Sequence, residues 1–348
     1  MFELWYAIVA LMFAIYVALD GFDLGVGILS PLVARTDAER RQVLAAIGPY
    51  WDGNEVWLIA GGGALFLAFP RVLASGISGF YFAIFLLLWC LVGRGLAIEF
   101  RSHVADPLWR AAWDFAFAAA STLLAVFLGA AFGNLMRGVP LDGNGWFALP
   151  LFTDFTAREP VGILDWYTIL TGLFALVALA GHGALFLAWK TDGPVHERSR
   201  RLARVLWIAV AVLWPVVTVA SHTVNPALFP GMGRRWLAIL AALIAVGGIV
   251  TVFRRMAKGA GLGAFLASAA FLLAIIGASA ASYFPVMLRA TGGDALSLTA
   301  YTGGGDEASL RIAMRWFLIG LPLAVLYFVI VFRLHRGKAV AARDSEGY

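Results

Sequence analysis

Cysteine is almost missing from the chain. Cys90 is the only one in 348 residues, so no internal disulfide can form. No Cys or His residues stand at the spacing of a zinc or iron–sulfur site, so no metal site is expected in this chain. Charge is scarce as well: Asp, Glu, Lys and Arg make up 14% of the residues, against about 25% in soluble domains. That shortage excludes an ordinary soluble protein. Disorder is excluded by the opposite abundance, since 61% of the residues are hydrophobic and 14% are aromatic. There is no P-loop, no HExxH and no catalytic Ser/His/Asp arrangement, and the glycine pairs fall short of a dinucleotide fingerprint. The net charge of +5 comes from Lys and Arg scattered through many short loops. It reads as a topology signal, and no nucleic-acid partner is expected.

What is present is a series of long apolar runs. A membrane-spanning helix needs about 20 mainly apolar residues. Runs free of acidic and basic side chains cover 56–70, 72–93, 115–136, 166–189, 205–233, 236–253, 259–288 and 316–332. A further run, 4–34, is interrupted only by Asp20 and Asp23. The sequence therefore predicts an all-α polytopic membrane protein with nine transmembrane helices. Met-Phe-Glu lacks a basic n-region, so the first run reads as a retained helix and not a cleaved signal peptide.

Lys and Arg set the orientation. With the N-terminus outside, 18 of the 26 basic residues fall on one side, among them Arg35, Arg94, Arg198, Arg254 and Arg343. That side is then cytoplasmic, with a periplasmic N-terminus and a cytoplasmic C-terminus. The short run 56–70 is the weakest span. Outer loops are expected at 137–164 and 289–310, and a polar, frayed tail from 337. The strings GGGALFLA (61–68) and GHGALFLA (181–188) share small-residue composition, which suits helix contacts in a membrane.

Ionisable groups inside a bilayer cost about 2.5–3.5 kcal/mol each on insertion scales, so their positions are informative. Asp20 and Asp23 lie three apart on one helical face, with sixteen uncharged residues before them and eleven after. Trp51, Asp52, Asn54 and Glu55 open the second helix, Arg94, Glu99 and Arg101 close the third, and Asp114 opens the fourth. All these groups are expected in one inner-leaflet cluster. Its alternatives are a proton path, a polar headgroup site such as a quinone's, or helix-end decoration. Asp52, for one, could be an N-cap with Glu55 as its capping-box partner. His182 and His222 could ligate haem in principle, but no second ligand accompanies either.

The strings ALDGFDLGVGIL (18–29), IGPYWDGNEVWLIAGGGALFLAFP (47–70) and SGFY (78–81) resemble the second subunit of cytochrome bd quinol oxidases. So do the pattern Arg101, Trp109, Trp113, Asp114 and the segment AFGNLMRGVP (131–140), and, more loosely, 284–302. The resemblance implies an enzyme subunit of the bacterial inner membrane. Its complex oxidises quinol and reduces dioxygen to water, taking protons from the cytoplasm. It implies two four-helix bundles plus one peripheral helix. Set on the predicted spans, these are residues 1–136, a loop 137–164, residues 165–288, a loop and ninth helix at 289–336, and a tail 337–348. Haems b, b and d belong to a partner, subunit I, in a heterodimer that can include small accessory subunits. The chain itself is expected to carry no catalytic residue, with a structural quinone as an optional ligand. By motif, Asp23, Trp51, Asp52, Asp114 and either Arg94 or Arg101 fall in the quinone or polar network, and Trp57 where an oxygen route begins. Glu55 stands where some members have Gln. The competing functions are a proton-coupled secondary transporter and a self-sufficient haem protein.

Overall fold

The computed structural model describes residues 1–340. Its helices are α1 (Phe2–Val33), α2 (Asp37–Ile47), α3 (Trp51–Ala68), α4 (Pro70–Gly79), α5 (Tyr81–Phe100) and α6 (Pro107–Arg137). The chain continues through α7 (Trp166–Lys190), α8 (Gly193–Val224), α9 (Leu228–Gly233), α10 (Trp236–Ala257) and α11 (Gly261–Tyr283). Two short antiparallel strands, β1 (Val286–Leu288) and β2 (Leu298–Thr299), precede α12 (Glu307–Leu334). Helices α1, α5, α6, α7, α8, α10, α11 and α12 are each long and apolar enough to cross a membrane, and α3 with α4 makes a ninth if that pair is one span. The all-α polytopic architecture expected from the sequence is what the chain adopts.

Several boundaries differ from the sequence reading. The expected span 72–93 is divided at Phe80 between α4 and α5, and the chain bends by 120° just before it, between α3 and α4. Phe69 leaves the helical region (φ −137°, ψ 60°), as a residue before proline is pushed to do, and Pro70 then opens α4. Helix α5 runs to Phe100 and so contains Arg94. The run 205–233 is broken after Val224, and 259–288 stops at Tyr283. Residues 35–47, which fall between the predicted spans and read as a loop, are mostly helix α2, opened by a capping box of Thr36 and Glu39.

Helix α1 is the axis of the molecule. It touches α3, α6, α7 and α11, while α5 packs on α6, α8 on α7 and α10 on α11. Helix α6 also packs on α7. Helix α12 lies outside against α3, with Leu310 its single buried residue. Helices α1 and α6 approach α7 closely where glycines remove the side chain between backbones. A Cβ on Gly25 would lie 2.0 Å from the Leu179 carbonyl oxygen and 2.8 Å from Gly183 Cα. One on Gly129 would lie 2.6 Å from the Thr171 carbonyl oxygen.

At one end of the helices, buried Arg137 pairs with Asp165, and its Nη2 donates to Asn134 Oδ1 at 2.6 Å. Asp165 also caps α7 through the Tyr167 and Thr168 amides. At the opposite end, Lys190 donates to Tyr50 Oη (3.1 Å), the Gly337 carbonyl (2.9 Å) and the His335 carbonyl. The Ala339 amide donates back to the Lys190 carbonyl at 2.7 Å. The expected frayed tail is thus fastened through 340, and its last part, 341–348, lies outside the described residues.

Candidate functional site

The polar residues singled out in the sequence separate into two clusters. The first is inside the helices. Asp20 and Asp23 on α1 are both fully buried, as are Arg94 on α5 and Asn54 on α3. Arg94 Nη2 lies 2.7 Å from Asp20 Oδ1 and also pairs with Glu55, whose side chain is 24% exposed. Asp23 has a different partner: Asn54 Nδ2 donates to its Oδ2 at 2.7 Å. Tyr16, four residues before Asp20 on the same helix, is buried beside them. Local sequence explains the convergence. The three-residue spacing puts both aspartates on one face of α1. A Cβ on Gly21 would lie 2.8 Å from Leu179 Cδ2, so α7 closes over the same part of α1.

The cluster holds three carboxylates and one guanidinium. Two carboxylates pair with Arg94, and the third meets only an amide. Several of its polar atoms have no hydrogen-bond partner among the described residues: Asp23 Oδ1, Asn54 Oδ1, Arg94 Nε and Arg94 Nη1. Buried polar groups are normally satisfied, so these are sites for water, a proton or a polar ligand.

The second cluster lies between α2, the end of α5 and the start of α6. Arg101 is 2% exposed and donates to Asp114 (Nε to Oδ1, 2.5 Å; Nη2 to Oδ2, 3.1 Å) and to Asp37 Oδ1 (2.9 Å). Arg40 reaches Asp114 at 3.1 Å, and Arg110 and Arg41 reach Asp37 at 3.1 and 3.0 Å. Partial burial raises the Asp37 carboxyl, but bonds and charge from Arg101 and then Arg110 outweigh it and leave it below its ordinary value. On the same helix, Arg198 and the Arg35 amide hold Glu39 below the usual carboxylate range.

The single cluster expected from the sequence is therefore two. Asp52 is exposed in the first turn of α3 and is not its N-cap, which is Tyr50. Glu99 is exposed near the end of α5, where its carbonyl receives the His103 ring. Trp51 is buried, and a Cβ on Gly95 would lie 3.5 Å from its ring. Trp57 is 6% exposed and tilted against Phe328 of α12, with ring centroids 5.8 Å apart. His182 is engaged at both ring nitrogens, Nε2 at 2.9 Å from the Ala18 carbonyl and Nδ1 at 2.6 Å from Ser268 Oγ. His222 is exposed.

Sequence reasoning misses Asp37, Arg40 and Arg110, because residues 35–47 read as a loop. The Thr36 to Glu39 spacing is the available signal for a helix there. It also misses the pairing of Arg137 with Asp165 across a long loop, although Arg137 lies in the segment AFGNLMRGVP (131–140) that carries part of the resemblance. Among the described residues, no group of three or more His, Cys, Asp or Glu is placed to hold a metal ion. A separate apolar cavity of about 420 Å³, lined by Val9, Phe13, Leu73, Phe80 and Phe127 among others, lies away from both clusters.

Comparison with known proteins gives concordant results. The family model described as cytochrome bd terminal oxidase subunit II matches residues 1–335. The chain is 31% identical to cytochrome bd-I ubiquinol oxidase subunit 2 of Escherichia coli K12, over 93% of this chain and 91% of that protein. It is 30% identical to cytochrome bd ubiquinol oxidase subunit 2 of Bacillus subtilis 168, over 99% and 98%. Its fold is similar to a chain of the bd oxidase structure from Geobacillus thermodenitrificans, with a TM-score of 0.75 and 18% identity over 96% of this chain and 98% of that one.

Proposed function

Because the chain belongs to the cytochrome bd terminal oxidase subunit II family, we propose that it completes a quinol:dioxygen oxidoreductase in a bacterial inner membrane. The reaction of such a complex oxidises two quinols and reduces one dioxygen to two waters. The redox haems b, b and d sit in the partner, subunit I. This chain is the haem-free member of that heterodimer, with a periplasmic N-terminus and a cytoplasmic C-terminus.

Within that complex we assign the Asp20, Asp23, Glu55, Arg94 and Asn54 cluster to proton exchange with the cytoplasm. The carrying observation is the ratio of three carboxylates to one arginine inside the helices. Desolvation penalises a charged carboxylate unless a cation offsets it. Arg94 offsets charge on Asp20 and Glu55, and Asp23 has only an amide, so the cluster is most stable when it holds a proton. Glu55 is the member that reaches the surface, and it shares Arg94 with buried Asp20. Protons would pass through Glu55 to Asp20 and Asp23. Arg101 and Asp114, in the second cluster, are not assigned to this path.

A structural quinone is a second occupant that the same residues would suit. Arg94 Nε and Nη1 are buried donors without a protein acceptor among the described residues, and a quinone carbonyl accepts such bonds. A bound quinone there would be held by its carbonyl oxygens.

Co-purification with a haem-bearing partner, followed by absorption spectra and quinol oxidase assays, tests the assignment as a subunit. Haem bound to this chain alone, or full turnover by the partner without it, overturns that assignment. Proton uptake by the Asp23→Asn complex tests the path.

A further inference from the structure

The second cluster is unbalanced in the opposite sense from the first. Arg40, Arg101 and Arg110 converge on two carboxylates, Asp37 and Asp114, and Asp37 is drawn on by Arg41 as well. The other acid of α2's first turn, Glu39, is committed to Arg198 and the Arg35 amide. Two arginine donors stay unused among the described residues: Nη1 of buried Arg101 and Nε of Arg110, each itself buried. A guanidinium presents five N–H donors in a fixed fork, and two shared carboxylates cannot fill three forks. Arginines held this close, with donors left open, match a phosphate group, whose phosphodiester form brings two charged acceptor oxygens and a negative charge.

The surroundings identify the source of the phosphate. Arg110 and Asp114 sit in the first turns of α6, a membrane-crossing helix, while Leu108 and Phe115 on the same helix are 80% and 75% exposed. Apolar side chains this open beside a basic corner mark the level where acyl chains give way to headgroups. We propose that the Arg40, Arg101 and Arg110 corner binds the headgroup phosphate of one anionic phospholipid, which pins α2 to the α5–α6 turn.

The test uses the complete two-subunit complex, stripped of lipid and titrated separately with phosphatidylglycerol, phosphatidylcholine and inorganic phosphate. Adducts are counted by native mass spectrometry. Phosphatidylglycerol should be retained in preference to phosphatidylcholine. The Arg40→Gln/Arg110→Gln double variant should lose retention on the order of thirtyfold, at about 1 kcal/mol per basic residue. Arg204→Gln, at an exposed arginine on α8 away from this corner, should not change it. Buried Arg101 is left intact so that the variants assemble. Should the double variant fail to assemble, each single variant is to show a smaller loss than tenfold but a measurable one. Equal retention in wild type and variants, or no preference between the two lipids, overturns the proposal. Binding of inorganic phosphate without any lipid adduct overturns the phospholipid as the source.

Discussion

Asp20 and Asp23 share one face of α1 but have different partners. Asp20 Oδ1 lies 2.7 Å from Arg94 Nη2 of α5, whereas Asp23 Oδ2 accepts from Asn54 Nδ2 of α3 at the same distance. One aspartate is part of an ion pair and the other of an amide bond, although both are shut away from solvent. The two should respond differently to the same substitution.

Asp23→Asn removes a titratable carboxyl that meets only an amide. Assembly of the complex should persist, while proton uptake and turnover fall. Asp20→Asn takes one carboxylate from a buried arginine, and breaking such a pair costs about 3–5 kcal/mol. Here yield of the complex should fall first. Asp142→Asn, in an outer loop where the side chain only receives the Asn144 and Trp146 amides, should do neither. Wild-type proton uptake and yield in both cluster variants would remove the proton-exchange assignment.

Arg137 is the contrasting case. Its guanidinium pairs with Asp165 and donates to Asn134 Oδ1 and the Gly138 and Gly162 carbonyls. Such a saturated group is a clamp. Arg137→Gln should lower the thermal stability of the complex by about 3–5 kcal/mol. Proton uptake per turnover in the protein that still assembles should match wild type.

The glycines differ sharply in what a methyl group would meet. Gly25→Ala places a carbon 2.0 Å from the Leu179 carbonyl oxygen, whereas Gly62 and Gly63 face open space. Overpacking costs about 1–3 kcal/mol. Thermal unfolding should show that loss for Gly25→Ala. Gly62→Ala and Gly63→Ala should stay within about 0.5 kcal/mol of wild type.

Glu39 gives a pH prediction. Its folded-state value is depressed below 4.5 by Arg198 and the Arg35 amide. A depressed carboxylate contributes stability above its unfolded value, and the contribution is lost as pH falls through the folded value. Protection of the α2 amides, taken relative to the intrinsic exchange rate at each pH, should therefore be unchanged from neutral pH down to about 4.5 and fall below it. The Glu39→Gln variant should show faster exchange at neutral pH and little of that acid step.

Orientation can be checked at Arg200, an exposed residue on α8. In a Cys90→Ala background, Arg200→Cys should react with impermeant thiol reagents only after the cytoplasm is opened. Labelling in intact cells would reverse the assignment of sides.

The helical membrane class and most spans were legible because apolar runs of span length leave few alternatives. Their ends were not. Arg94 terminates an uncharged run, so it looked like a helix boundary, yet α5 continues past it because Asp20 and Glu55 supply the counter-charge. The bend at Phe69 and Pro70 was hidden because both flanking segments are apolar and only the proline marks the join. Asp20 and Asp23 announced themselves by isolation within a hydrophobic run. Asp37 did not, since an acid among arginines in a polar stretch looks like any solvated loop. Asp52 misled for the reverse reason: it sits in a motif with Asn54 and Glu55, but the helical turn points it outward.

The contact of Gly25 with Gly183 has a mechanical consequence. Carriers that expose a site alternately to each side do so by tilting one helical unit against another about a compliant boundary. Here the boundary is backbone against backbone, and His182, next to Gly183, ties the Ala18 carbonyl of α1 to Ser268 of α11. Tilting would tear bonds buried at the centre of the molecule. The contact and the His182 bonds together hold α1, α7 and α11 at a fixed spacing.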